Sequence, residues 1–292
     1  MIRSAECACG NDVLAIAANS QSASELSGMN AYNPRGAPKS VKVRLASTID
    51  DVAAVQRLRW QVFRSGEAAT GRDAHEMNLD QDEYDAICDH LMAVAAIVSP
   101  SGDVTHEEVV GTYRLLRGSI AEKTLGYYTA HEFDLSQLLQ HAKTRNGEPL
   151  EIGRSCVRED FRTGAVIQAL WRGLGSYVGQ HRIGMLFGCA SFPGTDPEVF
   201  SPALSFLNHN YLAPEDRRPY SLSGTMPALL AEDSYDPRAA FSSLPPLIKG
   251  YLRAGARFGE GVYVDTAFNT VDVCALVETE YVSKRYFSRF GT

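Results

Sequence analysis

The chain has 292 residues, is 45% hydrophobic and 22% charged, and carries a formal net charge of −7. That length and apolar content suffice for the core of one large domain, and the acidic balance without any Lys/Arg block excludes wholesale nucleic-acid binding. No apolar run reaches the roughly 18 residues that span a bilayer, and the stretch from Val13 to Ala18, behind Glu6 and Asp12, is too short for a signal peptide.

Residues 1–40 are rich in Ser, Ala, Asn and Gly and end in Asn33-Pro34-Arg35-Gly36-Ala37-Pro38, the composition of a disordered tail. The domain is expected over 41–292. Val41 to Ala46 alternates like a strand. Thr48 caps a helix through about Phe63, with Val52, Val55, Leu58 and Val62 at helical spacing. Residues 64–86 read as a loop. Leu91 to Val98 and Val109 to Leu116 read as strands separated by Ser101-Gly102-Asp103. Short helices are expected over 119–146, a strand from Leu150 to Val157, a helix from Ala165 to Val178, and a strand from Gly184 to Ala190. Residues 193–245 are Pro- and polar-rich, with one helix near 197–208, within an extension expected over 193–258. Leu244-Pro245-Pro246 starts a last helix to about Arg257, and Gly261 to Val264 and Val271 to Val277 end the chain as strands. The order is mixed α+β, without a repeat or a Rossmann or P-loop glycine pattern.

Cys7, Cys9, Cys88, Cys156, Cys189 and Cys274 form no C-x-x-C pair. Four of them lie in or beside apolar runs, as small buried hydrophobes do. A reduced, cytoplasmic protein is expected.

The most informative segment is Glu151-Ile152-Gly153-Arg154-Ser155-Cys156-Val157. Ionised groups are rarely buried unless paired, so a strand with Glu151 and Arg154 either holds a structural ion pair or lines an active site. Arg59 alone would read as a solvated helix face, Asp82 and Asp85 as turn formers, Arg114 as an edge charge, and His90 as a hydrogen-bonded structural histidine. Strict alternation would put Glu151 and Arg154 on opposite faces. A bulge at Gly153 would bring both to one cleft.

Taken in order, Arg59-x-x-Val62-Phe63, Asp82-x-x-Asp85, Arg114-Leu115-Leu116 and Glu151-x-x-Arg154 resemble the acyl-homoserine-lactone synthases of the GNAT acyltransferase superfamily. Beyond them, Leu170-Trp171-Arg172-Gly173-Leu174, Ala190-Ser191-Phe192-Pro193-Gly194-Thr195-Asp196, Leu244-Pro245-Pro246-Leu247-Ile248-Lys249-Gly250 and Phe268-Asn269-Thr270-Val271-Asp272-Val273 are similar to the bacterial L-ornithine Nα-acyltransferases. The second resemblance covers about 41–275. It implies a GNAT-like fold, a mixed central sheet flanked by helices. It also implies transfer of a 3-hydroxyacyl chain from acyl carrier protein to ornithine, with no bound cofactor or metal beyond the phosphopantetheine thioester. The alternatives are a homoserine-lactone-type synthase, acylation of another amino acid such as glycine or glutamine, and a non-catalytic module that binds acyl carriers.

Aminolysis of a thioester needs a neutral amine, yet an α-amino group has a pKa of about 8. The expected base is Glu151, with Asp82 and Asp85 completing an acidic pocket. Arg59 or Arg114 is the candidate for the substrate carboxylate, and Phe63 and Arg154 join them in the substrate-binding set. Cys156 as a nucleophile is a minor alternative to a buried thiol; the resemblance places an oxyanion donor near its backbone. Arg158, Arg162 and Gly164 stand where GNAT enzymes bind pyrophosphate, but without the full glycine pattern; one phosphate at a helix N-terminus fits a carrier-protein pantetheine. Arg158, Arg162, Arg172 and Arg182 form the expected basic patch for an acidic carrier protein. Leu247-Ile248, Tyr251-Leu252 and Phe258, and the tail Tyr281 to Phe290, are the candidates for peripheral contact with the inner face of the cytoplasmic membrane.

Overall fold

The computed structural model describes residues 40–64, 78–98, 103–145, 147–225 and 227–282. The expected N-terminal tail up to residue 39 and the aromatic and basic residues 283–292 lie outside them. Strand β1 (Val41–Leu45) turns Val41, Val43 and Leu45 onto the core and leaves Lys42 and Arg44 outside. Helix α1 (Ile49–Phe63) starts at Thr48, whose side chain accepts the Asp51 amide at 3.1 Å. Its buried stripe is Val55, Gln56, Leu58 and Arg59. Helical spacing alone had pointed to Val52 and Val62; the stripe is rotated so that a Gln and an Arg face inward.

Strands β2 (Asp89–Val98) and β3 (Val104–Arg117) form a long antiparallel hairpin, which β1 extends on one side and β5 (Glu148–Val157) on the other. Between β3 and β5 lie the short helix α2 (Gly118–Ala121), a 3₁₀ turn at Tyr128–His131, β4 (Phe133–Asp134) and helix α3 (Ser136–Lys143). Helix α4 (Gly164–Gln180) crosses to β6 (Ile183–Pro193), which runs parallel to β5. The main sheet ends with β10 (Thr270–Glu278), antiparallel to β6 and flanked by β8 (Arg257–Phe258) and β9 (Tyr263–Asp265). A small strand β7 (Tyr220–Ser221) pairs with β4.

Alternation sorts the sheet residues onto two faces. Tyr113, Leu115, Leu150, Ile152 and Val273 share the main core with α4. Leu116, Met185, Phe187, Cys274 and Leu276 lie in a second cluster with Phe133 and Leu138, on the face bearing α3. Helix α1 packs Val55 on Met92 and Val94.

The extension packs into the main core rather than standing apart. Helices α5 (Ser201–Tyr211), α6 (Pro237–Ser243) and α7 (Pro246–Arg253) contribute Leu204, Phe206, Ala240, Ile248 and Tyr251 to it. Helix α6 adds to the single helix expected here, and its signal is the Asp236 cap before Pro237. Helix α7 ends at Arg253, four residues before the expected end, because Gly255 takes a φ of +92° and turns the chain into β8. Ile248 and Tyr251 on α7 and Phe258 on β8 are buried, so this apolar face is spent on the core and not on a bilayer. Among the described residues, no helix is long and apolar enough to cross a membrane.

Candidate active site

A layer of charged side chains lies between α1 and the second face of the sheet. Arg59 is 1% exposed, a placement that a cation tolerates only when fully paired. Its guanidinium grips Asp85 with two bonds of 2.9 and 2.7 Å and Asp80 with one of 2.8 Å. Gln56 donates to Asp85 as well, at 2.9 Å. Burial opposes ionisation of Asp85, but Arg59 outweighs it and holds the carboxyl down at about 2. Asp82 caps the 3₁₀ turn Glu83–Ala86 through the Tyr84 amide and pairs with Arg114 and Arg154.

Strand β5 carries the next part. Thr112 faces Cys156 and Arg114 faces Gly153, so β5 has one more residue than β3 in this interval. The extra residue is a bulge at Arg154-Ser155, and Arg154 adopts a φ of +47°. This departure from alternation swings Arg154 onto the charged face. Its guanidinium lies 3.1 Å from Asp82 and stacks between Tyr128 and Phe268, at 4.7 and 4.5 Å from the ring centroids. Phe63 packs edge-on against Phe268, at 5.9 Å between centroids.

Pairing of β5 with β6 runs only from Glu148–Ile183 to Glu151–Phe187. At Gly188 the strands still touch: a Cβ there would lie 2.2 Å from the Ile152 carbonyl oxygen. Beyond that point no pairing of the two strands is found among the described residues. A Cβ added at Gly153 would meet nothing within 4 Å, so open space lies over this part of β5. Glu151 sits at the vertex, 5% exposed, and its carboxylate accepts the Tyr128 amide at 3.0 Å and the Thr129 amide at 2.5 Å. Burial raises its pKa despite these bonds.

A second acidic group stands on the β6–β10 side. One carboxylate oxygen from each of Glu132, Asp265 and Asp272 lies within 4.8 Å of the others. Burial, with Asp272 nearby, pushes Glu132 up to about 8. The Cys189 thiol donates to Glu132 at 3.1 Å and lies 3.7 Å from the Thr129 hydroxyl.

Comparison with known proteins gives this layer a family. The acetyltransferase (GNAT) domain model matches residues 58–172. The L-ornithine N(alpha)-acyltransferase of Brucella abortus is 40% identical over 86% of this chain and 89% of its own. That of Rhodobacter capsulatus is 41% identical over 86% of this chain and 94% of its own. The chain belongs to the L-ornithine Nα-acyltransferase family. Among solved structures, an N-acyl amino acid synthase from uncultured soil microbes aligns with 87% of the chain and 100% of its own, with 8% identity and a TM-score of 0.49.

In this L-ornithine Nα-acyltransferase family member, Arg59, Asp82, Asp85, Arg114 and Arg154 converge in one network, with Phe63 at its edge and Glu151 behind it. The network corrects several expectations. Asp82 and Asp85 do not form a free acidic pocket, because arginines already hold them. Arg59 has no exposed surface to offer a substrate, and Arg114 is 4% exposed and bound to Asp82 and Asp85. Cys156 is buried, and burial pushes its thiol up to about 12, which disfavours the thiolate near neutral pH. Arg158 pairs with Glu108 and, at 2.7 Å, with Asp160, and stacks on Phe161. Arg162 lies just before α4, with its Nε on the Val157 carbonyl at 3.1 Å, and Gly164 opens that helix.

The sequence reading missed Glu132, Asp265 and Asp272. Asp272 had the same signal as Glu151, a carboxylate inside an apolar strand. Glu132 and Asp265 had none, since their meeting depends on how β4 and β9 approach β10.

Proposed function

We propose that this protein moves a 3-hydroxyacyl chain from the phosphopantetheine thioester of acyl carrier protein to the α-amino group of L-ornithine, giving lyso-ornithine lipid. The observation that carries this reading is kinship: four L-ornithine N(alpha)-acyltransferases are 38–41% identical over 84–94% of their own lengths. The geometry supports it. The end of the β5–β6 pairing after Glu151 frees β5 backbone for an extended pantetheine chain in this reading, and Gly153 keeps the adjacent surface clear.

In this reading the amine attacks the thioester carbonyl, a C–N bond forms, and the C–S bond breaks to release the carrier thiol. Glu151 takes the amine proton. Burial raises its proton affinity, the direction a general base for an ammonium needs. Tyr128 and Thr129 fix its orientation. Arg154, the only partly exposed guanidinium of the network's three, receives the ornithine carboxylate between Tyr128 and Phe268. Asp80, Asp82, Asp85, Arg59 and Arg114 position it. Commitment of Arg158 to two carboxylates leaves Arg162 and the α4 N-terminus for a single phosphate, which suits a carrier-protein pantetheine better than a coenzyme A pyrophosphate.

The test is direct. The purified protein, a 3-hydroxyacyl carrier protein and ornithine should give N-acylornithine by mass spectrometry. Product from glycine or glutamine but not from ornithine, or lactone formation from S-adenosylmethionine, would sink the assignment.

A further inference from the structure

The cluster of Glu132, Asp265 and Asp272 has no part in the chemistry assigned above. Two of its members are buried: Glu132 and Asp272 are each 4% exposed. Three carboxylates this close repel one another, and burial strengthens the repulsion. Such an arrangement persists only with a proton or a cation to share. Asp265 is partly satisfied, since it accepts the amides of Ala267 and Phe268 at 2.8 and 3.0 Å. Glu132 has the Cys189 thiol.

Asp272 supplies an observation of a different kind. Its Oδ1 is fully buried and makes no well-formed hydrogen bond among the described residues, and neither does the buried Thr270 hydroxyl on the same face of β10; Ser191, Thr270 and Glu132 lie near enough to interact with the Asp272 carboxyl without completing that oxygen. An unsatisfied buried carboxylate oxygen costs stability, so a fold keeps one where a ligand completes it. The missing partner is a hydrogen-bond donor, and the surrounding charge calls for a cationic one.

The position of the cluster relative to Glu151 narrows the ligand. Glu151 binds the Thr129 amide, and Thr129 touches Cys189, which in turn donates to Glu132. Two acidic stations therefore stand on either side of Thr129 and Cys189. Arg154 lies near enough to act electrostatically on Glu132. A divalent metal would meet that guanidinium and the Cys189 proton. A primary ammonium instead brings several N–H donors to Glu132 and Asp272 and one positive charge.

We propose that Glu132 and Asp272, with Asp265 behind them, bind the side-chain ammonium of the acceptor amino acid. The site then selects a diamino acid over neutral amino acids of the same length. The inference rests on the ornithine reading, and adds that Glu151 and Glu132 each serve one of the substrate's two amines. The nearby Thr270 hydroxyl completes the donor–acceptor set.

The experiment compares ornithine with norvaline, which has the same carbon chain without the terminal amine, in the full-length protein with a 3-hydroxyacyl carrier protein. Wild type is expected to prefer ornithine by about ten-thousandfold in kcat/KM, the range in which a site built to hydrogen-bond a polar group rejects the analogue that lacks it. Asp272→Asn and Glu132→Gln should each raise the KM for ornithine about tenfold or more, with a smaller change in kcat, and shrink the preference over norvaline. Equal use of both amino acids by wild type overturns the site and leaves N-acylation standing. So does an unchanged preference in both folded variants, or activity that a chelator abolishes and a divalent metal restores. A wild type that acylates neither amino acid overturns the functional reading, and the site with it.

Discussion

Glu151 shows how one residue combines two demands. Its carboxylate anchors the Tyr128–His131 turn and, in the proposed reaction, accepts a proton. Glu151→Gln is therefore expected to do more than remove a base. The new amide group must face a backbone N–H, which leaves a buried donor unpaired at a cost of about 1–3 kcal/mol. Acyl transfer should fall severely and the thermal midpoint should drop by several degrees; wild-type rates from a folded variant would end the base assignment. Asp85 is a test of the network alone. Its carboxyl is held well below the ordinary aspartate value of about 3.9, so the stability it contributes is present above that value and is lost as pH falls through about 2. Asp85→Asn leaves Arg59 buried without its main partner, a loss of about 3–5 kcal/mol. Urea denaturation near neutral pH should show that loss, and the variant should have a flatter acid limb than wild type.

Among the elements, β5 decides the site. The sequence shows a strand with two opposite charges and a glycine, and a bulge is the one backbone device that reconciles them. The bulge lies at Arg154-Ser155, one step past Gly153, and the reason is physical. Gly153 keeps the ladder with Arg114, whereas Arg154 takes the left-handed φ. Gly153 is needed less for backbone freedom than for the empty space above it. Gly153→Val should leave stability almost unchanged, because a Cβ there meets no atom within 4 Å and valine suits a strand. It should cost acyl transfer roughly a hundredfold by displacing the reacting groups. Normal turnover from this variant would move the acyl chain elsewhere. Gly188→Ala is the complementary case. Its Cβ would overlap the Ile152 carbonyl, so unfolding should come earlier in urea by about 1–3 kcal/mol or more.

Across the whole molecule, what was legible followed from local pattern. Strand alternation, the Thr48 cap and the Pro246 start each place an element from a few neighbouring residues. The motif residues Arg59, Asp82, Arg114 and Arg154 were legible as a set, but not their mutual pairing, which makes most of them scaffolding. Glu132 and Asp265 were invisible because they meet Asp272 only after β9 pairs with β10. The same limit applies to the surface proposed to meet the acyl carrier protein, where four arginines formed the expected basic patch. Arg158 is tied to Glu108 and Asp160, while Arg172 lies exposed on α4 and Arg162 is exposed just before it. If the proposed carrier protein docks there, Arg162→Glu and Arg172→Glu should raise the KM for the acyl carrier protein severalfold at low salt. The difference should vanish as ionic strength rises, since exposed charges are screened within about 10 Å at 0.1 M. The same variants should use a small acyl-pantetheine thioester as well as wild type does, because that donor lacks the acidic protein. Equal losses with both donors would place these arginines at the thioester rather than at the carrier.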